Sequence, residues 1–172
     1  ISKTSPDMLR VIGFAHTDEE FYYEWLSYYE PLISSFIAVS HEIAVKLQER
    51  IPNRQDDIFV RPYGVDVSPV LQRDYALPDE PLRLVYAGRL WEQQKRIFDL
   101  LRLAELLSQR GVHFSLRIAG DGDQQEEFLT RLHALGEQIR NTVSLEGRIP
   151  HQQMPEFWRS GDVCLLTSAY EG

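Results

Sequence analysis

A glycine and two or three cations stand close together in the order Gly88-Arg89-Leu90 and then Lys95-Arg96. A forked guanidinium, an ammonium and the open N–H groups at the start of a helix would suit a diphosphate. The glycine would let a ligand come close to the backbone. The competing reading is a pair of solvated loop cations. A second cluster, Gly120-Asp121-Gly122-Asp123, admits three chemistries. A dinucleotide fingerprint is set aside because Gln125 stands where its third glycine should be. Two carboxylates one residue apart suit a divalent cation. The preferred reading is structural: the glycines make a turn, and Asp123 with Glu126 forms a capping box for the next helix. Capping accounts for Asp123 without a metal.

His16, in Phe14-Ala15-His16-Thr17, has the chemistry to orient or polarise a ligand hydroxyl. A half-buried histidine with its hydrogen bonds satisfied is the alternative, and position alone leaves both open. The aromatic run Phe21, Tyr22, Tyr23, Trp25, Tyr28, Tyr29 has the composition of a stacking surface. Its helical spacing favours a helix packing face instead. Glu171, in the closing Thr167-Ser168-Ala169-Tyr170-Glu171-Gly172, is by itself an ordinary acid.

The elements that must position these residues alternate between strand-like and helix-like runs. Leu9–Thr17 reads as a buried strand and Asp18–Ile33 as a helix with Phe21, Trp25, Tyr28 and Leu32 along one stripe. Ser35–Val39 is a strand, and Ser40 an N-cap for a helix carrying Ile43, Ala44, Leu47 and Ile51. Ile58–Val65 returns to strand. Residues 64–81, with Pro69, Pro78 and Pro81 and little periodicity, read as an interdomain linker. Then follow a strand at Leu82–Ala87, a helix at Ile97–Leu107, a strand at Phe114–Ala119 and a helix at Asp123–Ile139. A strand at Val143–Glu146, a short helix at Gln152–Arg159 and a strand at Val163–Thr167 complete the series. Such alternation with apolar strands predicts an α/β, doubly wound parallel sheet in two halves. Ligands then bind beyond the carboxyl ends of the strands, where Arg89 and the Gly120 turn fall.

Composition narrows the function classes. A net charge of −8 and a pI near 5.1 work against sequence-independent nucleic-acid binding, which needs a surplus of Lys and Arg. They leave room for a small basic pocket. Cys164 is the only cysteine, so a disulfide framework and a cysteine zinc site are both excluded, and a reducing, cytoplasmic location is expected. No apolar run approaches the roughly 20 residues of a membrane span, and no signal peptide opens the chain.

The strings YAGRL followed by QKR, LRIAGDG, VSLEGRI, GDVCLLTS and the closing YEG together resemble glycosyltransferase family 4. These are retaining enzymes of the GT-B type, also described as glycosyl transferases group 1. The resemblance runs from about Val11 to Gly172, and the shared order and spacing of the strings make it specific.

Several roles are implied by the resemblance. Arg89 and Lys95 match the pair that holds the donor diphosphate, one position further apart than in many relatives, with Gly88 beside them. Arg96 stands where a glycine is frequent. Gly147-Arg148-Ile149 matches the segment that contacts the nucleotide base. Glu171 matches the first acid of the paired-glutamate motif that binds the donor sugar, and His16 matches a histidine that faces the transferred sugar. Gly64-Val65-Asp66 matches the start of the interdomain crossover. Residues 1–63 would be the end of the acceptor-side domain, 64–81 the linker and 82–172 the beginning of the nucleotide-sugar-binding domain.

By the same resemblance the sheets are incomplete at both ends. The activity implied is transfer of a sugar from a nucleoside diphosphate to an acceptor hydroxyl, with no cofactor and no metal. The acceptor, whether saccharide, lipid-linked or small molecule, stays unassigned. The 172 residues alone are expected to be inactive and to self-associate through an open sheet edge. Two alternatives from other classes stand beside this one: a metal-dependent Asp-x-Asp transferase or hydrolase, and a non-catalytic nucleotide-binding or assembly module.

Overall fold

The computed structural model describes residues 9–65 and 75–171. Of the expected linker, residues 66–74 lie outside the described residues, Asp66 of the crossover motif among them. The chain divides into two compact units, Ile1–Ser68 with Tyr170–Gly172, and Pro69–Ala169.

The first unit is a three-stranded parallel sheet in the order β1-β2-β3, formed by Ile12–Ala15, Ser35–Ala38 and Ile58–Val60. Helices α1 (Glu20–Tyr28) and α2 (His41–Arg50) connect them, each followed by a 3-10 segment, Glu30–Leu32 and Pro52–Asp57. Ser40 caps α2 as expected, its Oγ accepting the Ile43 N–H at 3.3 Å. Ile43, Ala44, Leu47 and Ile51 are buried, as their spacing predicts. The strands are shorter than expected. The predicted helix at Asp18–Ile33 stops at Tyr28, because Pro31 has no N–H to give the ladder and the chain tightens into a 3-10 turn.

The aromatic stripe is a correction. Phe21, Trp25, Tyr28 and Leu32 are exposed, Tyr28 to 78%, while Tyr23 and Leu26 pack into the core with Ala15, Ile33 and Phe36. Two residues of helix turn the side chain by about 200°. The face holding Phe21 and Trp25 is therefore opposite the one holding Tyr23, and the sheet took the latter.

The second unit is a four-stranded parallel sheet in the order β6-β5-β4-β7. Its strands are β4 (Leu82–Ala87), β5 (Phe114–Ala119), β6 (Val143–Gly147) and β7 (Val163–Cys164). Helices α3 (Glu92–Lys95) and α4 (Phe98–Gln109) join β4 to β5; α5 (Gln125–Ala134) and α6 (Glu137–Arg140) join β5 to β6; α7 (Met154–Arg159) leads to β7. Alternation along β4 serves both faces of the sheet. Leu84 and Tyr86 pack with Leu100, Ala104, Phe128 and Leu132, whereas Val85 packs with Ala119 and Phe157. The helix expected over Asp123–Ile139 is two helices parted at Gly136, and Val163–Thr167 is a strand only at its first two residues. Among the described residues β7 is an edge strand, with Val163 and Cys164 exposed.

A carboxylate anchors the amino end of this sheet. Asp162 accepts bonds from the Arg83 guanidinium at 2.6 and 3.1 Å, from the Arg83 N–H at 2.8 Å and from the Ala76 N–H at 2.9 Å. Its side chain is only 7% exposed. The Arg83 hydrogen bonds, helped by the two backbone N–H groups, hold its carboxyl well below the usual carboxylate range despite burial.

Candidate functional site

Strand β4 has β5 on one side and β7 on the other, so the sheet order reverses at its carboxyl end. A parallel sheet opens a crevice at such a point. Gly88, Arg89 and Lys95 are all found there, on the segment between β4 and the end of α3. Three loops are laced together around this point. Gly88 N–H donates to the Ala119 carbonyl at 3.0 Å, Leu90 N–H to Asp121 at 2.8 Å, and Gly120 N–H to Gly147 at 2.7 Å. On the β7 side, Thr167 Oγ1 donates to the Lys95 carbonyl at 2.6 Å and Ala169 N–H to Gln94 at 2.8 Å.

The glycines are explained by this lacing. Gly120 has φ of +126°, and a Cβ there would sit 2.0 Å from the Gly88 carbonyl oxygen. A Cβ on Gly122 would lie 2.5 Å from the Leu90 oxygen. The space beside Gly88 belongs to the Tyr86 hydroxyl, which a Cβ at that position would approach to 2.7 Å. Room for a ligand is therefore not what requires that glycine.

Arg89 is exposed at the frame's rim, its guanidinium 5.9 Å from the Trp91 ring centre, and it makes no ion pair among the described residues. Lys95 is half-buried at the end of α3. Arg96 follows in the left-handed region, with φ 48° and ψ 49°, held to Asp99 at 2.7 Å. That conformation gives the physical reason for a glycine to be frequent at this position.

Asp123 is a second correction. Helix α5 begins at Gln125, with Gln124 at its N-cap position and no side-chain cap. Its entry is fixed by backbone, the Gln125 N–H donating to Gly122 at 3.1 Å. The Gln124 amide oxygen instead accepts the Glu92 N–H at 2.5 Å, and the Glu92 carboxylate accepts the Phe98 N–H at 2.9 Å, serving α4 from outside. Asp121 pairs with Arg148 at 2.7 Å. Among the described residues no three His, Cys, Asp or Glu side chains converge as a metal site.

Arg148 and Ile149 follow β6 and edge a cleft of about 370 Å³ lined also by Arg117, Glu146, Phe157 and Ser160. Arg117 bonds Glu146 at 2.9 Å and Ser160 at 2.7 Å, and its hydrogen bond holds the Glu146 carboxyl below its ordinary value.

His16 and Glu171 lie in the first unit. The His16 ring stacks on Phe14, with centres 5.3 Å apart and planes within 11°, and the Tyr63 ring lies parallel to it within 6°, with centres 6.1 Å apart. Tyr22 meets it edge-on, and the Tyr63 hydroxyl hydrogen-bonds its Nδ1. The Glu171 carbonyl accepts the Asp18 N–H at 3.1 Å, and the Tyr170 hydroxyl donates to Glu19 at 3.1 Å. Beside them, burial opposes ionisation of Asp18, but hydrogen bonds from Lys46 at 2.5 Å and Tyr23 at 2.7 Å prevail and lower its pKa.

The family model for glycosyl transferases group 1 matches residues 81–172, more than half of the chain. The chain belongs to this family. A relative of this group 1 chain, the alpha-D-kanosaminyltransferase of Streptomyces kanamyceticus, is 30% identical over 101 residues, 59% of this chain and 25% of that protein. Among solved structures, the pneumococcal O-GlcNAc transferase GtfA in complex with UDP and GlcNAc aligns with a TM-score of 0.74 at 18% identity. The alignment covers 94% of this chain and 33% of that one. TarM of S. aureus, in a complex that includes UDP, aligns at 0.72 with 17% identity and the same coverage. The chain thus spans between a quarter and a third of these proteins. At such identities the structures speak for the fold alone, which is the Rossmann-like α/β kind of the GT-B type.

Of the expected site residues, Gly88, Arg89, Lys95, Arg148 and Ile149 share the carboxyl edge of the second unit. His16 and Glu171 share the first, drawn together through the Asp18 loop. Sequence reasoning missed Tyr63, Asp18, Arg117 and Asp162. Their partners are 47, 28, 29 and 79 positions away, and no local spacing signals such pairs.

Proposed function

We propose that the complete protein transfers a sugar from a nucleoside-diphosphate donor to an acceptor hydroxyl, with retention at the anomeric carbon. The observation that carries this reading is the Arg89 guanidinium, without an ion-pair partner among the described residues, on a tightly laced loop at the sheet's reversal point. A cation that meets no carboxylate among the described residues, at a ligand-binding edge, is suited to an anion from outside. Arg89 bridges diphosphate oxygens through its planar fork, and Lys95 adds a point charge. Together they stabilise the charge that grows on the departing diphosphate. Arg148 and Ile149 contact the base, while His16 and Glu171 orient the transferred sugar. The two cations supply the charge that a divalent ion supplies elsewhere, so transfer is proposed to be metal-independent.

Residues 1–63 are assigned to the acceptor-side domain, 64–81 to the linker and 82–172 to the donor-side domain. A cytoplasmic location rests on the lone Cys164. The 172 residues alone are expected to turn over no nucleotide sugar, and light scattering should show self-association through the exposed edge at Val163 and Cys164.

Calorimetric titration of the full-length protein with UDP, GDP and ADP tests the reading. UDP comes first because GtfA and TarM are described with it. One diphosphate should bind, and bind more weakly to Arg89→Ala. Binding of none, or binding indifferent to Arg89, overturns the diphosphate site.

A further inference from the structure

We propose that Tyr63 is a positioning residue that holds the His16 imidazole in one plane and one tautomer, keeping Nε2–H as the donor available to a ligand oxygen. The inference rests on the reading of His16 as the residue that orients the transferred sugar.

His16 follows the end of β1 and is exposed, a place where an imidazole ordinarily swings about its χ2 torsion. Three rings restrain it. Phe14 and Tyr63 lie parallel to it within 11° and 6°, and Tyr22 stands across its edge at 75°. Stacking on Phe14 fixes the plane but leaves a ring flip that exchanges the two faces of the imidazole. The Tyr63 hydroxyl removes that freedom by bonding Nδ1. A neutral imidazole has one N–H and one bare nitrogen. A phenol is a better donor than acceptor, so its proton goes to Nδ1 and the imidazole proton resides on Nε2. Nε2 has no hydrogen-bond partner among the described residues. It is thereby left as a donor of fixed direction, which is what orienting a hydroxyl or ring oxygen requires.

Parallel pairing makes the contact possible. β1 and β3 flank β2, with Ala15 beside Ala38 and Ala38 beside Val60. The chain leaving β3 therefore passes the same end of the sheet as His16 and brings Tyr63 to it across 47 positions.

The test uses the full-length protein labelled with 15N-histidine, the His16 ring signals being those lost in His16→Gln. Their shifts should report the Nε2–H tautomer. Tyr63→Phe keeps the aromatic ring and removes only the hydroxyl. It should move His16 towards a mixture of tautomers and lower kcat roughly two- to tenfold, the worth of one neutral hydrogen bond, with donor KM nearly unchanged. Tyr63→Ala should cost more, because the ring that holds the place beside Nδ1 goes too. A wild-type Nδ1–H tautomer, or a tautomer unmoved in Tyr63→Phe, overturns the proposal. If the tautomer moves but kcat ignores both Tyr63→Phe and His16→Ala, positioning is upheld and the catalytic reading of His16 falls.

Discussion

Arg83 and Arg89 stand at opposite ends of one strand and in opposite chemistry. Arg83 is bound at the amino edge by a carboxylate that also collects two backbone N–H groups, and its charge is spent inside the fold. Arg89, at the carboxyl edge, rests on the Trp91 ring and meets no carboxylate among the described residues. The strand positions both equally well. What separates them is whether a described residue supplies the counter-charge. A cation answered internally is tied to the fold, whereas the one open among the described residues at the sheet's reversal point is the one proposed to meet a ligand.

The largest expected effect tests the carboxyl edge. Arg89→Ala in the full-length enzyme should lower kcat by on the order of 10²–10³, as for one preorganised donor to a developing anion. Its melting temperature should hardly move, since an exposed cation adds little to the fold. Arg89→Lys should also be damaging, because an ammonium cannot bridge two oxygens. Near-normal kcat in Arg89→Ala, or loss of the fold, would erase the contrast with Arg83.

Gly120→Ala comes next. Its Cβ meets the Gly88 carbonyl, and its φ is hostile to any side chain. A loss of about 3 kcal/mol by urea denaturation is expected, with donor binding weakened because the Arg89 loop shifts. Intact stability would mean that the loops are not laced as described.

At the amino edge, Asp162→Ala should cost about 2–3 kcal/mol, less than a fully buried pair because Arg83 is partly exposed. Its sign with pH is set by the lowered carboxyl pKa. The unfolded chain takes up the Asp162 proton near pH 4 and the folded chain only below that. The stabilisation is therefore full above about pH 5 and fades as pH falls through 4 towards the folded value. Denaturation curves of wild type and Asp162→Ala should converge over that range. A gap that does not narrow between about pH 5 and pH 2 would assign the loss to packing rather than to charge.

The smallest effect belongs to Asp123. It caps nothing, so Asp123→Ala should change stability by less than about 0.5 kcal/mol. Asp123→Asn should keep activity in the presence of EDTA. Activity abolished by both would favour a metal at Asp121 and Asp123.

How far the sequence carried the fold depends on how each element is buried. Leu82–Ala87 and Phe114–Ala119 were readable to the residue, because each is a short run rich in apolar and β-branched or aromatic residues that ends sharply at a glycine. Ser40 was readable as a cap because capping is a three-residue event. The diphosphate candidates could be found for a related reason: a strand end followed by cations is a local pattern whose position the parallel topology then dictates.

What the sequence by itself determined, then, was the alternation of strands and helices and the set of residues at their carboxyl ends. Only tertiary structure decided which face of α1 the sheet would accept, since both faces are aromatic and helical periodicity is satisfied by either. It also decided that Asp123 would be passed over, because the Gly122 carbonyl reached the α5 entry first. The partners of Arg83, Arg117 and His16 were likewise its choice. Each is a side chain brought in across a sheet from a distant segment, and an ion pair or hydrogen bond of that kind depends on ångström-scale approach, which no spacing along the chain encodes.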